Sequence, residues 1–255
     1  MFVLEWLGRS LLGVLHAVGG FFVLLGQTIH GAVRPPYAPR MVANQFVRVG
    51  VDSVPVVLLT ALFTGGVLAL QTFKGFSRFH AEGYIGSVVA VAMIRELGPV
   101  LTALMVTGRA GSAMAAELGS MRVTEQIDAL VALATDPVQY LFVPRVLAGI
   151  LVLPMLAVLA SVTGMIGGYL VAVAYLGTNP VRYVEVTFQY LDLEDLTSGL
   201  IKACVFGLLL TLIGCQCGFH TRGGAEGVGR STTRAVVAGS LAILISDFFL
   251  TKILM

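Results

Sequence analysis

The sequence predicts an all-α polytopic membrane protein, and three observations lead to this fold class. The chain of 255 residues is 57% hydrophobic and only 12% charged, whereas soluble domains carry about 25% charged residues. Its mean hydropathy is +0.91. Several uncharged stretches approach the roughly 20 residues that a helix needs to cross a bilayer. We expect a single domain over 1–255, with an N-terminal region over 1–48 and five transmembrane helices within 49–255.

The N-terminal region is predicted to form helix at the membrane interface. Its stretch 11–33 has no formal charge and is long enough to span, so a sixth crossing is the alternative. Polar groups nevertheless recur along 1–33, as they do in interfacial helices; they belong to Trp6, Arg9, His16, Gln27 and His30. The interfacial interpretation is favoured for this reason.

Five later stretches are apolar enough to cross the membrane. They are 54–73, 85–108, 146–177, 203–219 and 235–251. The segment 178–195 between the third and fourth stretches is polar and contains Pro180. Its length and composition predict a short helix that lies outside the membrane.

The distribution of basic residues predicts the topology, because cytoplasmic loops are rich in lysine and arginine. With 34–48 inside and five crossings, the inner segments 34–48, 109–145 and 218–234 carry nine basic residues, and the outer segments 74–84 and 178–195 carry three. The inside set is Arg34, Arg40, Arg48, Arg109, Arg122, Arg145, Arg222, Arg230 and Arg234, and the outside set is Lys74, Arg78 and Arg182. The N-terminal region is therefore predicted to be cytoplasmic and the C-terminus to lie outside.

Arg95 and Glu96 lie near the middle of the second apolar stretch. A charge at the bilayer centre costs about 2.5–3.5 kcal/mol on insertion scales, so such residues commonly face a cavity or a partner helix. Pro99 follows closely and cannot donate a backbone hydrogen bond to the Arg95 carbonyl, which predicts an interrupted helix. We favour a substrate cavity here, and a structural ion pair with a neighbouring helix is the alternative.

The remaining motifs argue against an enzyme, a metal site and nucleic-acid binding. The run 224–231, GAEGVGRS, has Arg230 where a phosphate-binding loop needs lysine, and apolar segments flank it. Cys204, Cys215 and Cys217 have neither disulfide nor zinc spacing, and the net charge of +2 is small and scattered. Asp247 lies near the end of the last apolar stretch, and we expect it to reach the interface without serving a site.

The run 119–137, GSMRVTEQIDALVALATDP, predicts a short amphipathic helix at the cytoplasmic face. Thr124 is a candidate N-cap, Glu125 and Asp128 suit a first turn, and Asp136 with Pro137 ends the helix. Ile127, Leu130, Val131 and Ala134 form one apolar stripe. Lipid-surface helices are usually rich in basic residues, so the acidic polar face favours a protein partner over lipid.

The stretch 95–130, RELGPVLTALMVTGRAGSAMAAELGSMRVTEQIDAL, closely resembles the signature of the MlaE/YrbE family. These proteins are permeases of lipid-transporting ABC systems associated with MCE proteins, and they have plastid relatives. The resemblance continues through Asp136-Pro137, Pro144-Arg145 and the run 229–251, GRSTTRAVVAGSLAILISDFFLT. It covers most of the chain from about Gly50 onward.

The resemblance implies a fold with an interfacial N-terminal region, five transmembrane helices, a short periplasmic helix and a cytoplasmic coupling helix. It also implies that two copies of the chain pair with two cytoplasmic ABC ATPase subunits and with periplasmic MCE-domain proteins. The substrate would be phospholipid, the location the bacterial inner membrane, and no cofactor or metal is expected. Whether an accessory cytoplasmic subunit binds stays open.

The resemblance implies that the coupling helix falls on 124–130 and that Arg95 and Glu96 match polar residues near the family's lipid cavity. Together with the residue patterns above, it leads to two sets of site residues. The substrate cavity is assigned to Arg95, Glu96, Leu97, Pro99 and Leu101. The ATPase-coupling residues are assigned to Thr124, Glu125, Ile127, Asp128, Leu130 and Val131. Two other functions stay in view: an ion-coupled secondary transporter in which Glu96 titrates, and a membrane scaffold that transports nothing.

Overall fold

The computed structural model describes residues 2–35, 39–79 and 81–254, and within these ranges the chain is helical and contains no strand. The α-helices are α1 Phe2–Val33, α2 Pro39–Val49, α3 Val54–Phe76, α4 Ile85–Ala92, α5 Gly98–Val106, α6 Ser112–Val123, α7 Gln126–Ala132, α8 Val143–Leu170, α9 Pro180–Gln189, α10 Leu193–Phe219 and α11 Gly224–Leu254. Wider π-helical turns lie at Met93–Leu97, Thr107–Gly111, Val138–Phe142 and Val171–Tyr175. Single 3-10 turns lie at Val51–Ser53, Ser77–Phe79 and Glu82–Tyr84.

Five helical stretches among the described residues are long and apolar enough to cross a membrane, which confirms the predicted fold class. In chain order, the first to fifth spans are Pro39–Phe79, Glu82–Val123, Val138–Tyr175, Leu193–Phe219 and Gly224–Leu254. Each is longer than its predicted apolar stretch, because polar turns continue the helix beyond the apolar part. The fourth span in particular begins ten residues earlier than the predicted 203.

Helix α1 crosses the ends of the third and fourth spans. A side chain at Gly20 would lie 3.1 Å from Gln216, and one at Gly31 would lie 3.2 Å from Val143. The rings of Phe142 and Phe219 are 5.5 Å apart, so these two contacts of α1 lie at the same end of the bundle. A helix that touches two parallel spans at one level runs across them, which matches the interfacial interpretation.

The spans pack through close backbone contacts. A Cβ atom at Gly65 of α3 would lie 1.9 Å from the carbonyl oxygen of Gly164 in α8. In the same way, a Cβ at Gly218 of α10 would lie 2.8 Å from the carbonyl oxygen of Ala115 in α6. Small residues permit such approaches between helices in lipid, where tight packing drives association.

The short helix predicted between the third and fourth spans is α9. The side chain of Asn179 caps it by accepting hydrogen bonds from the backbone N–H groups of Val181 and Arg182, at 3.0 and 3.2 Å. Tyr183 and Val186 on its inner face are buried. The helix therefore packs against the ends of the spans and leads the chain into α10.

Candidate functional site

The second span contains a widened turn where its two charged residues lie. The backbone N–H of Gly98 donates to the carbonyl of Met93, five residues back, and the turn Met93–Leu97 is π-helical. The helix was predicted to be interrupted before Pro99, and this prediction is wrong. The helix instead includes one extra residue in this turn and continues directly as α5. Single π-turns of this kind often occur at functional sites.

Arg95 forms an ion pair with the fourth span. Its Nε lies 3.1 Å from Oδ1 of Asp195, and the two side chains are 30% and 10% exposed. The other carboxylate oxygen of Asp195 accepts from the backbone N–H of Asp192 at 3.3 Å, which caps the start of α10. The cap and the ion pair together hold the end of α10 against the π-turn.

Glu96 meets a lysine that the sequence prediction missed. Lys202 Nζ lies 2.6 Å from Oε2 of Glu96 and 3.2 Å from Oδ1 of Asp247. It also donates to Thr251 Oγ1 at 2.7 Å, and its side chain is only 1% exposed. The expectation that Asp247 reaches the interface is wrong, because this carboxylate is 22% exposed and shares a buried ammonium with Glu96.

A signal for Lys202 was present in the sequence. Asp192 and Asp195 are spaced as in a capping box, which marks the start of a helix. A helix that begins at Leu193 includes Lys202 nine residues later. Starting the fourth apolar stretch at 203 left this cation just outside the predicted span.

We call Arg95, Glu96, Asp195, Lys202 and Asp247 the outer charge cluster. Lys202 lies nine residues after the first residue of α10, and Asp247 lies seven before the last residue of α11. At 1.5 Å per residue, the cluster lies about 10–14 Å inside those helix ends. Within one chain it is an ion-pair network, which was the alternative to the cavity, and Glu96 remains 33% exposed.

The five residues assigned to the cavity do not share one surface. Leu97 and Leu101 face α3 and line a narrow gap with Val57. Pro99 is buried. Only Arg95 and Glu96 belong to the outer charge cluster, since the widened turn directs them toward α10 and α11.

The cytoplasmic helix predicted within 119–137 is α7, and its start differs from the prediction. Thr124 is not its N-cap: the Thr124 hydroxyl donates to the Ser120 carbonyl at 2.9 Å and closes α6. Glu125 is the residue before α7 and has a positive φ of 60°. This left-handed residue allows α7 to follow α6 with almost no intervening loop. Asp136 accepts from the Val138 N–H at 2.9 Å, and so caps the start of the third span.

The apolar stripe of α7 divides between the chain's own core and the surface. Ile127 is 1% exposed, so its predicted burial in a partner is wrong: it anchors α7 to the rest of the chain. Leu130 is partly buried against the core. Val131 and Leu133 are 58% and 75% exposed. The apolar surface open to a partner is therefore formed by Val131 and Leu133.

Arg122 ties α7 to the spans. Its Nη1 lies 2.6 Å from Oδ1 of Asp128, and its guanidinium lies 6.0 Å from the centre of the Phe219 ring. One side chain thus contacts α7 and the end of the fourth span. The predicted coupling residue Asp128 is exposed but already paired.

A second set of charges lies one turn further into α6. Glu117 is 2.9 Å from Nη2 of Arg145, which is 4% exposed, and 3.2 Å from Nη1 of Arg48. We call Arg48, Glu117 and Arg145 the inner charge cluster. It joins α2, α6 and α8, so α7 continues from a helix that is fixed to two others.

Comparisons with known proteins give a consistent result. A family model described as "Permease MlaE" matches residues 42–253. A Rickettsia typhi protein named "Probable ABC transporter permease protein" is 46% identical over 247 residues, which cover 97% of this chain and 95% of that protein. The intermembrane phospholipid transport system permease protein MlaE of Haemophilus influenzae is 38% identical over 254 residues, covering 97% and 95%. The chloroplastic protein TRIGALACTOSYLDIACYLGLYCEROL 1 of Arabidopsis thaliana is 40% identical over 230 residues, covering 90% and 66%.

Proposed function

Because the chain belongs to the MlaE permease family, we propose that it moves phospholipid between the inner membrane and periplasmic MCE-domain proteins. It is a multi-pass membrane permease, a transport component rather than an enzyme. In this proposal a separate cytoplasmic ABC ATPase supplies the energy, and two copies of the permease form the transport unit.

The observation that carries the proposal is the outer charge cluster. Arg95 and Glu96 are about a third exposed on the single chain, at 30% and 33%, yet they lie within the spans. Charged groups at such depth face a water-filled cavity or protein rather than lipid tails. A second copy that covers this face would enclose the cluster in a cavity, and the polar part of a phospholipid would find both signs of charge there.

The route from the ATPase to this cavity runs along the second span. Its cytoplasmic end continues into α7, where Val131 and Leu133 are exposed for an ATPase groove. Glu96 lies 27 residues before Val123, which is about 40 Å along a helix. Movement of α7 would displace α6 and the inner charge cluster together. The π-turns at Thr107–Gly111 and Met93–Leu97 are the points where the helix could change direction.

The two other functions have weaker support. A secondary transporter would need Glu96 to exchange ions, whereas Lys202 holds this carboxylate at 2.6 Å. The relatives are named as ABC transporter or phospholipid transport permeases. A scaffold without transport leaves the partial exposure of Arg95 and Glu96 within the spans unexplained, because charged groups that face lipid at this depth are expensive.

A photo-crosslinking experiment tests the proposed cavity. A photoreactive amino acid at Ala92, one helical turn before Glu96 on the same face, should capture phospholipid in the complex with its ATPase. Trapping the ATPase with ATP and vanadate should change this capture, because the cavity changes shape. The control is Phe63, which is 66% exposed on α3 and should capture lipid equally in both states. An identical response at the two positions would contradict a lipid site at the cluster.

A further inference from the structure

A large cleft opens at the predicted cytoplasmic end of the bundle, far from the outer charge cluster. Its volume is about 960 Å³, near the upper end of the roughly 300–1,000 Å³ of ligand pockets. We call it the cytoplasmic cleft, and its main lining residues are Val42, Phe46 and Val47 of α2 with Gln139, Val143 and Leu147 of the third span. Its wall is mostly apolar, so an apolar ligand suits it.

The cleft lies at the level where α1 crosses the bundle. Gly31 of α1 belongs to its wall and packs against Val143. From Gln139 to Leu147 the wall follows the third span for eight residues, which is about 12 Å along a helix. It therefore begins at the membrane interface and continues toward the hydrocarbon region, as a lipid does.

The N-terminal segment that forms one side of the cleft is basic and contains no acidic residue. Residues 6–51 contain no aspartate or glutamate, and they include Arg34 and Arg40. Both of these arginines are exposed. The Arg34 carbonyl accepts from Gln139 Nε2 at 2.8 Å, which fixes the Arg34 backbone at the rim. Arg40 directly follows Pro39, which is part of the wall.

Arg48, the last arginine of this segment, already has a partner. Arg48 pairs with Glu117 at 3.2 Å. The acid in the wall, Asp136, accepts the Val138 N–H at 2.9 Å and so caps the third span. Asp136 keeps its negative charge, so the two exposed arginines beside the cleft, Arg34 and Arg40, outnumber the one acid in its wall.

We propose that the cytoplasmic cleft binds an anionic phospholipid of the cytoplasmic leaflet. The acyl chains lie along Phe46, Val47 and Leu147, and the phosphate meets Arg34 and Arg40. Basic pockets on the cytoplasmic side of membrane proteins bind acidic head groups in this way. The proposal requires the N-terminal region to be cytoplasmic and does not depend on which molecule the permease transports.

A lipid-capture experiment tests this site. The permease with its ATPase is placed in nanodiscs of phosphatidylcholine with a minority of phosphatidylglycerol, and a photoreactive amino acid replaces Val47. Captured lipids are identified by mass spectrometry. We expect phosphatidylglycerol to be enriched over its bulk share. Arg34→Gln and Arg40→Gln should each reduce the enrichment, by up to about fivefold.

Matched variants separate the cleft from the general surface. Ala43→Trp should fill the cleft, of whose wall Ala43 is a part, and should abolish the enrichment. Asn44→Trp places the same side chain on the next, exposed residue outside the wall and should leave it unchanged. Arg78→Gln, predicted to lie on the outer side, should also have no effect.

Two results would overturn the proposal. Captured lipid at the bulk ratio, unaffected by the two arginine substitutions, would exclude an anionic-lipid site. Loss of the co-purifying ATPase in Ala43→Trp, with lipid capture retained, would identify the cleft as a protein-docking groove instead. Both results are independent of lipid capture at Ala92, so this proposal and the transport proposal can fail separately.

Discussion

Lys202 is the residue on which the outer charge cluster depends. Its ammonium is the shared partner of Glu96 and Asp247, and it is almost completely buried. Taking a charge out of water costs several kcal/mol unless close partners compensate for the lost hydration. The two carboxylates and the Thr251 hydroxyl supply that compensation. One side chain thus holds the second, fourth and fifth spans together.

Removing this cation should destabilise the permease. Lys202→Met leaves two carboxylates without their partner. In a fully buried pair such a loss lowers the free energy of unfolding by about 3–5 kcal/mol. Since Glu96 and Asp247 are 33% and 22% exposed, we expect about 2–3 kcal/mol. For a chain of this size that corresponds to a fall in melting temperature of roughly 4–12 °C, measurable by thermal unfolding in detergent.

Neutralising the partners provides the control for that experiment. The triple variant Lys202→Met, Glu96→Gln, Asp247→Asn removes the unpaired charges and should recover most of the lost stability. Lys252→Met, at an exposed position near the end of α11, should change the melting temperature little. A triple variant as unstable as the single one would show that Lys202 acts through packing and not through charge.

Single residues were the least predictable level of the site. Arg95 and Glu96 could be found because charges stand out in an apolar stretch. Their partners could not be assigned from the sequence, since Asp195, Lys202 and Asp247 lie on other helices and become neighbours only after packing. Ile127 was found as part of an apolar stripe, but the stripe does not reveal which of its residues face the chain's own core and which face a partner.

At the scale of elements, α7 is a short helix held from one side and open on the other. Ile127 anchors it, Arg122 links it to Phe219, and Val131 with Leu133 are exposed. A seven-residue helix is unstable alone, so its orientation depends on these contacts. Its position and type were predictable from the pattern, but its start was not, because the left-handed Glu125 leaves no capping signal.

Charge on the exposed apolar surface at the end of α7, where Leu133 directly follows the helix, should release the ATPase. Leu133→Arg places a cation where an apolar anchor would enter the ATPase groove. Buried anchors often contribute about 2 kcal/mol or more to the free energy of binding. Co-purification of the ATPase with tagged permease should therefore fall strongly. Asp128→Ala breaks an exposed pair with Arg122 and should have a smaller effect. Full retention of the ATPase by Leu133→Arg would mean that α7 is not the coupling element.

The contact between α3 and α8 permits a similar test of helix packing. In Gly65→Ala the new methyl group would lie 1.9 Å from the Gly164 carbonyl, so the backbones must separate. Overpacking of this kind typically costs about 1–3 kcal/mol, or roughly 2–12 °C in melting temperature. Gly75→Ala in the same helix has open space around it and should melt like the parent. Equal melting of both variants would show that the two helices are free to move apart.

For the whole molecule, the architecture was more predictable than the site. Composition and apolar stretches predicted five spans and a short helix between the third and fourth, since lipid imposes helix length and polarity directly. An interfacial α1 was favoured over a sixth span, although its composition suits both placements. Its contacts at Gly20 and Gly31 now support the interfacial one. The relation between spans depends on three-dimensional packing, which one sequence does not reveal.

ATP-driven lipid transfer in proteoliposomes tests whether this permease moves phospholipid. The permease and the ABC ATPase proposed to drive it are reconstituted with fluorescent phospholipid, and transfer to an added MCE-domain protein is followed with and without ATP. We expect transfer that depends on ATP hydrolysis and is lost in the triple neutral variant, although that variant is folded and retains its ATPase. Transfer at the same rate without ATP, or at the parent rate in the triple neutral variant, would contradict the account.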